Sequence, residues 1–483
     1  MDIGILKEQN PWWQAKENIT QDVHIEKLAR LKYKWQPPIM GSFNLNKDVI
    51  YTLRGSRQVG KTTLLKLLIK RLLETGKKEN ILYFTCNNID DYKQLIDVFR
   101  IYFDWVENTD RKYIFIDEIT FVKEWTRGVK HLADIGRLKN CTLILTGSNA
   151  HDLKYEIERM PGRRGQDADL DKIMFPVSFR EYVQFENPDI TAKIYDIASA
   201  FKNYKYFERD LVKYLNNYLI TGGFIQAINS FCSNGRIEQD VYQQYLSWVL
   251  GDLSKMGKKE TSSRQIFEQV IKGITTNIGF DTIAKKTTIE SHLTVADYLD
   301  AMESSFIIKI LYQIDINKKL PVVRRTKKIY FQDMFLLWVF LGYIFGLSDY
   351  FSASKSRLED DLFKTKLIEQ AVMAHLLRLE NSVNWSNIVF LFRTTNQVEV
   401  DFVVRQQDGG LLPIEAKYKY EVSFKDFLHL DKISRYKGIV VSKGDFNIEK
   451  EKIILPADLF LLLPLRQDND RIFYECHSGN SYI

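Results

Sequence analysis

Two groups of residues have types that could do chemistry, the first of them with the spacing for chemistry on phosphates. The first is Gly55-Ser56-Arg57-Gln58-Val59-Gly60-Lys61-Thr62, which matches G-x-x-x-x-G-K-[ST] at every fixed position and continues into Thr63. In such a loop the glycines let the backbone curl so that its N–H groups face phosphate oxygens. The helix that opens behind the loop adds a partial positive charge. Lys61 is expected to reach the β- and γ-phosphates of ATP, and Thr62 to place its hydroxyl on Mg2+. A chance Gly-rich turn would show the same letters, and the strand before and helix after distinguish the two. Asp117 and Glu118 follow an apolar run, Tyr113-Ile114-Phe115-Ile116. An acid ending a strand there can hold the metal, and the glutamate beside it can polarise a water for attack on the γ-phosphate.

Two further features bear on this site. Thr146-Gly147-Ser148-Asn149 ends another apolar run, and Ser148 or Asn149 is expected to orient the attacking water; a plain turn of small residues is the competing reading. Arg163 and Arg164 lie in a Gly-flanked loop, where one of them could act as an arginine finger, in cis or in trans across a homo-oligomer. A solvated basic loop explains the same residues.

The second group lies near the C-terminus. Glu399 and Asp401 sit at i and i+2 of one strand pattern, and Glu415 and Lys417 do the same in the next. Each pair therefore shares a face of its strand. Charges at this spacing also occur in any amphipathic strand, so spacing alone does not make a site.

The elements that must position these residues alternate in the first third of the chain. Apolar runs at 49–53, 80–86, 112–116, 142–146 and 173–177 are separated by helical stretches, as in a parallel sheet covered on both faces. Residues 196–256 read as helices interrupted at Thr221-Gly222-Gly223, and 262–315 as short helices followed by a strand, the outline of a winged helix. From 357 a helix, three strands (389–393, 399–404, 412–417), a helix at 424–433 and a strand at 438–442 make a separate α/β unit.

With 483 residues, 45% hydrophobic and 27% charged, the chain has material for several cores. A net charge of +6 permits a nucleic-acid partner without demanding one. Cys86, Cys141, Cys232 and Cys476 have no zinc or disulfide spacing, and the N-terminus lacks a signal-peptide pattern, so a cytoplasmic protein is expected. The run Met334–Leu347 is too short to span a bilayer and reads as a buried helix; no membrane association is expected.

The stretches Asn10-Pro11-Trp12-Trp13, Leu53–Thr63, Phe115–Ile119, Pro176–Tyr182 and Tyr218–Phe224, together with the C-terminal group, resemble a family of archaeal and bacterial ATPases. That family joins an AAA-like P-loop domain to a C-terminal domain similar to restriction-endonuclease-fold nucleases. Ser56 stands where the family usually has Pro. The resemblance implies an α/β fold: a P-loop sheet of the class with an additional strand and a catalytic glutamate, then a helical lid, a winged helix and a nuclease-like domain. The expected boundaries are 1–40 (an N-terminal arm), 41–186 (ATPase), 187–256 (lid), 257–330 (winged helix) and 331–483 (nuclease-like).

By the same resemblance Asp401, Glu415 and an additional acid, Glu369, would hold a metal, and Lys417 would stabilise an attacking hydroxide on DNA. Ser263-Arg264 and Lys285-Lys286 would support DNA contact by a helix near 287–298, although Glu290, Asp297 and Asp300 in that region oppose it. The implied function is ATP hydrolysis coupled to a metal-dependent nuclease-like domain. Two alternatives stand beside it: a nucleotide-switched signalling or protein-binding ATPase with an inactive nuclease fold, and a protein-remodelling ring.

Overall fold

A computed structural model describes residues 2–147, 153, 160–167, 169–380, 388–394, 398–406 and 408–464. Contacts gather the chain into two compact units. The first is formed mainly by Met1–Phe175, and the second by Pro176–Glu303, Ile307–Glu380 and the C-terminal residues. The sequence-based boundaries divide the chain more finely than this.

The first unit is built on a parallel sheet of β1 (Val49–Arg54), β2 (Ile81–Thr85), β3 (Lys112–Asp117), β4 (Cys141–Thr146) and β5 (Asp171–Ile173), in the order β2-β3-β4-β1-β5. All six residues of β1 and of β4 are buried, as expected for strands covered on both faces. In sequence, β2 lies between the loop strand and the Asp-Glu strand. In space the inserted strand is β4, and β2 forms the edge. The last strand is shorter than the expected 173–177 and lies earlier, sharing only Ile173 with it: Met174 N–H still donates to Arg54 O at 2.7 Å, and the chain then reaches Pro176, which has no N–H to continue a ladder.

Several N-terminal residues of this unit bond to the edge of its sheet. Asn10 lies along the exposed edge of β2: its Nδ2 donates to Tyr83 O at 2.8 Å and its Oδ1 accepts from Tyr83 N at 2.7 Å. Trp12 and Trp13 both donate their indole N–H to Ile81 O, at 3.1 and 2.9 Å. The Asn-Pro-Trp-Trp stretch thus supplies side-chain partners to backbone groups that an edge strand would leave open.

The second unit begins with helices. The Ile197–Thr221 helix is capped by Asp196, whose side chain accepts from Ser199 N–H, and it stops at Gly222 with φ +56°. A side chain at Gly222 would collide with Asp333, and the next amide, Gly223 N–H, donates to Asp333 Oδ2 at 2.8 Å. That buried carboxylate explains the Thr-Gly-Gly interruption. The apolar run forms the Met334–Phe345 helix, with its first nine residues buried. No single described helix is long and apolar enough to cross a membrane.

Helices Glu260–Lys272, Phe280–Lys285 and His292–Ser304 precede β6 (Ile308–Leu311), β7 (Gln313–Asp315), β8 (Leu320–Val322) and β9 (Lys328–Phe331). β6 pairs with β9. β7 and β8 join a larger sheet with β10 (Val389–Arg393), β11 (Glu399–Arg405), β12 (Leu411–Ala416), β13 (Lys437–Ser442), β14 (Asn447–Glu449) and β15 (Glu451–Pro456), in the order β14-β15-β13-β12-β11-β10-β7-β8. The helix expected over 424–433 is instead two short 3-10 turns, Phe424–Phe427 and Leu430–Lys432. Phe424, Phe427, Leu430 and Ile433 recur every three residues and pack on one core. That repeat fits three residues per turn better than 3.6.

Candidate functional site

β1 delivers the Gly55–Thr62 loop, and Gly60, at φ +108°, turns it into the Lys61–Thr75 helix. Gly55 and Gln58 also have positive φ, so the loop curls at three points. The first-turn amides of the helix have no helical acceptor. Lys61 is buried, and its Nζ donates to Gly55 O at 3.0 Å and Ser56 O at 3.1 Å, so the ammonium lies within its own loop. Ser56 Oγ is buried with no partner among the described residues. An inward-curled loop holding an ammonium and an unsatisfied hydroxyl fits a polyanion such as a phosphate tail. Arg57, Val59 and Thr63 complete the loop and the start of the helix.

The second motif meets the first. Asp117 ends β3, and its Oδ2 accepts from Thr62 Oγ1 at 2.7 Å and from Tyr83 OH at 3.0 Å. Its Oδ1 accepts from Thr146 Oγ1, at the end of β4, and Thr146 Oγ1 also accepts from Glu118 N–H at 3.2 Å. Three hydroxyls therefore fix one carboxylate, and Thr146 ties the aspartate to the glutamate. Glu118 has φ +54°, a left-handed conformation uncommon for a non-glycine residue and often found where a side chain is held for function. The hydroxyl and carboxylate of Thr62 and Asp117 are the hard oxygen donors that Mg2+ takes alongside substrate phosphates.

Tyr83 and Thr146 carry this geometry; the sequence reading names Thr146 only as the start of the Thr146–Asn149 stretch, without this role, and does not name Tyr83. Thr146 is findable in principle, as a polar residue closing an otherwise apolar strand. Tyr83 reads as one more aromatic in a buried strand. Ser148 and Asn149 lie outside the described residues.

The two arginines separate. Arg164 is committed within its own chain: it forms a two-pronged pair with Asp171 at 2.9 and 2.7 Å and also donates to Ile50 O. Burial alone would raise the Asp171 pKa, and Arg164 and Thr52 outweigh it, holding the carboxyl below its ordinary value. Arg163 is more exposed and pairs with Asp134 at 2.6 Å.

In the second unit, Glu369 and Asp401, two of the three acids expected to hold a metal, meet with Glu399 around a lysine. Lys328 of β9, 2% exposed, places its ammonium 2.9 Å from Glu369 Oε1, 2.7 Å from Glu399 Oε1 and 2.8 Å from Asp401 Oδ1. Tyr330, two residues along β9, donates to Glu369 Oε1 at 2.7 Å. Asp401 Oδ2 accepts from Ala416 N–H at 3.0 Å. Glu415 lies beside the cluster, accepting from Asp401 N–H at 3.3 Å and facing His429 Nε2 at 3.4 Å.

Burial and the Asp401 charge raise the Glu369 pKa to about 8. Burial pulls Lys328 down, and Tyr330 with the three carboxylates outweighs it, leaving the ammonium well above its ordinary value. Lys417, expected beside the attacking hydroxide, pairs instead with Asp426 at 3.1 Å. Burial opposes ionisation of Asp426, yet the Ser423 amide and Lys417 hold its pKa at about 2.

The expected metal set of Glu369, Asp401 and Glu415 therefore does not fit a divalent cation in this arrangement. A cationic side chain from β9 already fills the point where Glu369 and Asp401 meet. Sequence reading missed it because Lys328 lies far from these residues in the chain and next to Lys327, where it reads as part of a basic surface run. Of the residues expected to contact DNA, Ser263 is buried, and Arg264 lies over the Tyr343 ring at 5.2 Å.

Residues 47–183 match the model of an AAA domain. Residues 212–344 and 364–460 match two domains of unknown function, DUF8612 and DUF4143. An uncharacterized protein of Haemophilus influenzae is 25% identical over 419 residues, spanning 82% of this chain and 86% of that protein. One of Methanocaldococcus jannaschii is 24% identical over 455 residues, spanning 87% and 90%. Among solved structures, a Walker-type ATPase of Pyrococcus abyssi aligns at 16% identity over 61% of this chain and 91% of that one, with a TM-score of 0.39. The Thermotoga maritima RuvB Holliday-junction branch-migration motor aligns at 15% identity over 61% and 91%, with a TM-score of 0.27.

Proposed function

We propose, from the premise that this chain carries an AAA-like P-loop ATPase domain, that it binds ATP with Mg2+ and hydrolyses it at the site formed by Lys61, Thr62, Asp117 and Glu118. The observation that carries the reading is the direct bond of Thr62 to Asp117, which joins the phosphate loop to the acidic strand end. The position of β4 between β1 and β3, with Glu118 following the aspartate, supports the additional-strand, catalytic-glutamate class.

The loop amides and Lys61 bind the triphosphate and offset the charge that gathers on the γ-phosphoryl group. Thr62 and Asp117 would hold Mg2+, which when bound neutralises phosphate charge. Glu118 accepts a proton from the water whose oxygen bonds to the γ-phosphorus as the bond to the β–γ bridging oxygen breaks. Thr146 keeps the two acids in register.

Two readings concern the second unit. One is a metal-dependent nuclease acting on DNA, supported by acids on the adjacent strands β11 and β12. The other is a nuclease-like fold that does not cleave and through which a nucleotide-switched ATPase engages its partner. The Lys328 ammonium among the acids favours the second.

ATP turnover by the purified chain tests the main reading. Lys61→Ala is expected to abolish turnover. Glu118→Gln should keep ATP binding and lower kcat on the order of 10²-fold or more. Full turnover in Lys61→Ala would sink the assignment. DNA incubated with the protein and Mn2+ should stay intact, and nicking by the wild type that Asp401→Ala removes would restore the nuclease reading.

A further inference from the structure

We infer that Lys328 is the resident cation of the Glu369–Glu399–Asp401 cluster, taking the place of a divalent metal and joining β9 to β11 and to the Asp361–Leu376 helix. The inference rests on the non-cleaving reading of the second unit and gives it a specific residue.

Buried carboxylates must be paired or neutralised, because water no longer solvates them. Here one ammonium, 2% exposed, meets an oxygen from each of three carboxylates at 2.7–2.9 Å. These distances suit N–H···O bonds to an ammonium, whereas Mg2+ requires its oxygens at about 2.0–2.1 Å. The ammonium donates hydrogen bonds to Glu369 and Asp401 and stands at ion-pair distance from Glu399, so one cation serves all three acids. A divalent ion drawn to these acids would have to displace it.

Displacement has to overcome the way the strand is held. β9 is paired along its length with β6, from Lys328 opposite Leu311 to Phe331 opposite Ile308. The Gln370 side chain fixes the same strand by exchanging hydrogen bonds with the Phe331 backbone, and Tyr330 bonds Glu369 on the face that carries Lys328. The remaining acid and base nearby are already engaged: Glu415 with the Asp401 amide and His429, and Lys417 with Asp426. Asn277 donates to the other oxygen of Glu399. The cluster therefore acts as an electrostatic clamp between the β6–β9 pair and the β11–β12 strands.

The test is divalent-ion binding by the full-length, nucleotide-free protein, followed by Mn2+ paramagnetic resonance and by thermal unfolding with and without Mn2+. Wild type and Asp401→Asn should bind the same amount of Mn2+, since the cluster contributes no site. Lys328→Ala should unfold at a lower temperature, gain one Mn2+ per chain and recover stability when Mn2+ is added. Adding Asp401→Asn to that variant should remove both the gain and the recovery. Bound Mn2+ in the wild type that Asp401→Asn eliminates would overturn the inference, as would a folded Lys328→Ala that gains none. If Lys328→Ala does not fold, the comparison of wild type with Asp401→Asn decides alone. DNA integrity followed in the same samples separates the two questions: Mn2+ at the cluster without cleavage defeats the clamp and leaves the non-cleaving reading standing.

Discussion

The hydroxyl of Tyr83 lies 3.0 Å from Oδ2 of Asp117, so the strand at the edge of the sheet supplies a hydrogen bond to the acid proposed to hold Mg2+ on its neighbour. Tyr83 is itself held on both sides. The Lys66 ammonium stands 3.4 Å over its ring and pairs with Asp22 at 3.1 Å, and the Tyr83 backbone is bonded to Asn10. N-terminal residues thus reach the proposed ATP site through one aromatic side chain. Tyr83→Phe removes only the hydroxyl. Loss of a bond worth about 0.5–1.5 kcal/mol predicts a fall in kcat of roughly 2- to 10-fold and a higher Mg2+ requirement. Steady-state kinetics across a Mg2+ titration checks both.

Asn10 should matter more for stability than for catalysis. Asn10→Ala leaves the buried Tyr83 N–H and C=O without their side-chain partner. The cost should be about 2–6 kcal/mol, at about 1–3 kcal/mol for each unsatisfied group. Urea unfolding of the first unit, followed by the fluorescence of the Trp12–Trp13 region, measures it.

Arg164 and Arg163 should respond in opposite ways. Arg164→Ala breaks a buried pair with Asp171 and should destabilise the protein by about 3–5 kcal/mol. Arg163→Ala should leave the unfolding temperature unchanged. If Arg163 reaches the nucleotide of a second copy, wild-type turnover per chain rises with protein concentration, and Arg163→Ala loses that rise. Thermal scans and a concentration series of ATPase rates distinguish the two roles.

Asp458 provides a pH signature in the second unit. It is buried, accepts from Tyr204 OH at 3.1 Å and from Leu459 N–H at 2.7 Å, and burial raises its pKa to about 7. The folded protein therefore keeps this proton at pH values where the unfolded chain has released it. The stabilisation is complete below the unfolded value near 4 and is lost as pH rises through about 7. Asp458→Asn should flatten that part of the pH–stability curve, as read by unfolding temperatures between pH 5 and 8.

The sequence by itself carried the motifs of the proposed nucleotide site, because its parts are local. A Gly-rich loop must join a strand to a helix, and an apolar run ending in Asp-Glu must be a strand end, so short-range patterns settle both. It also determined the parallel sheet and the buried helix at 334–345, since runs of apolar residues specify burial. The tertiary structure alone decided that β4 lies between β1 and β3, that Asn10 closes the edge of β2, and that Tyr83 and Thr146 hold Asp117. It alone decided that Glu369, Glu399 and Asp401 surround Lys328. The physical reason is that a carboxylate in a sequence shows its charge and strand face but not which cation reaches it. That partner comes from a strand some seventy residues away, and only the folded chain brings the two together.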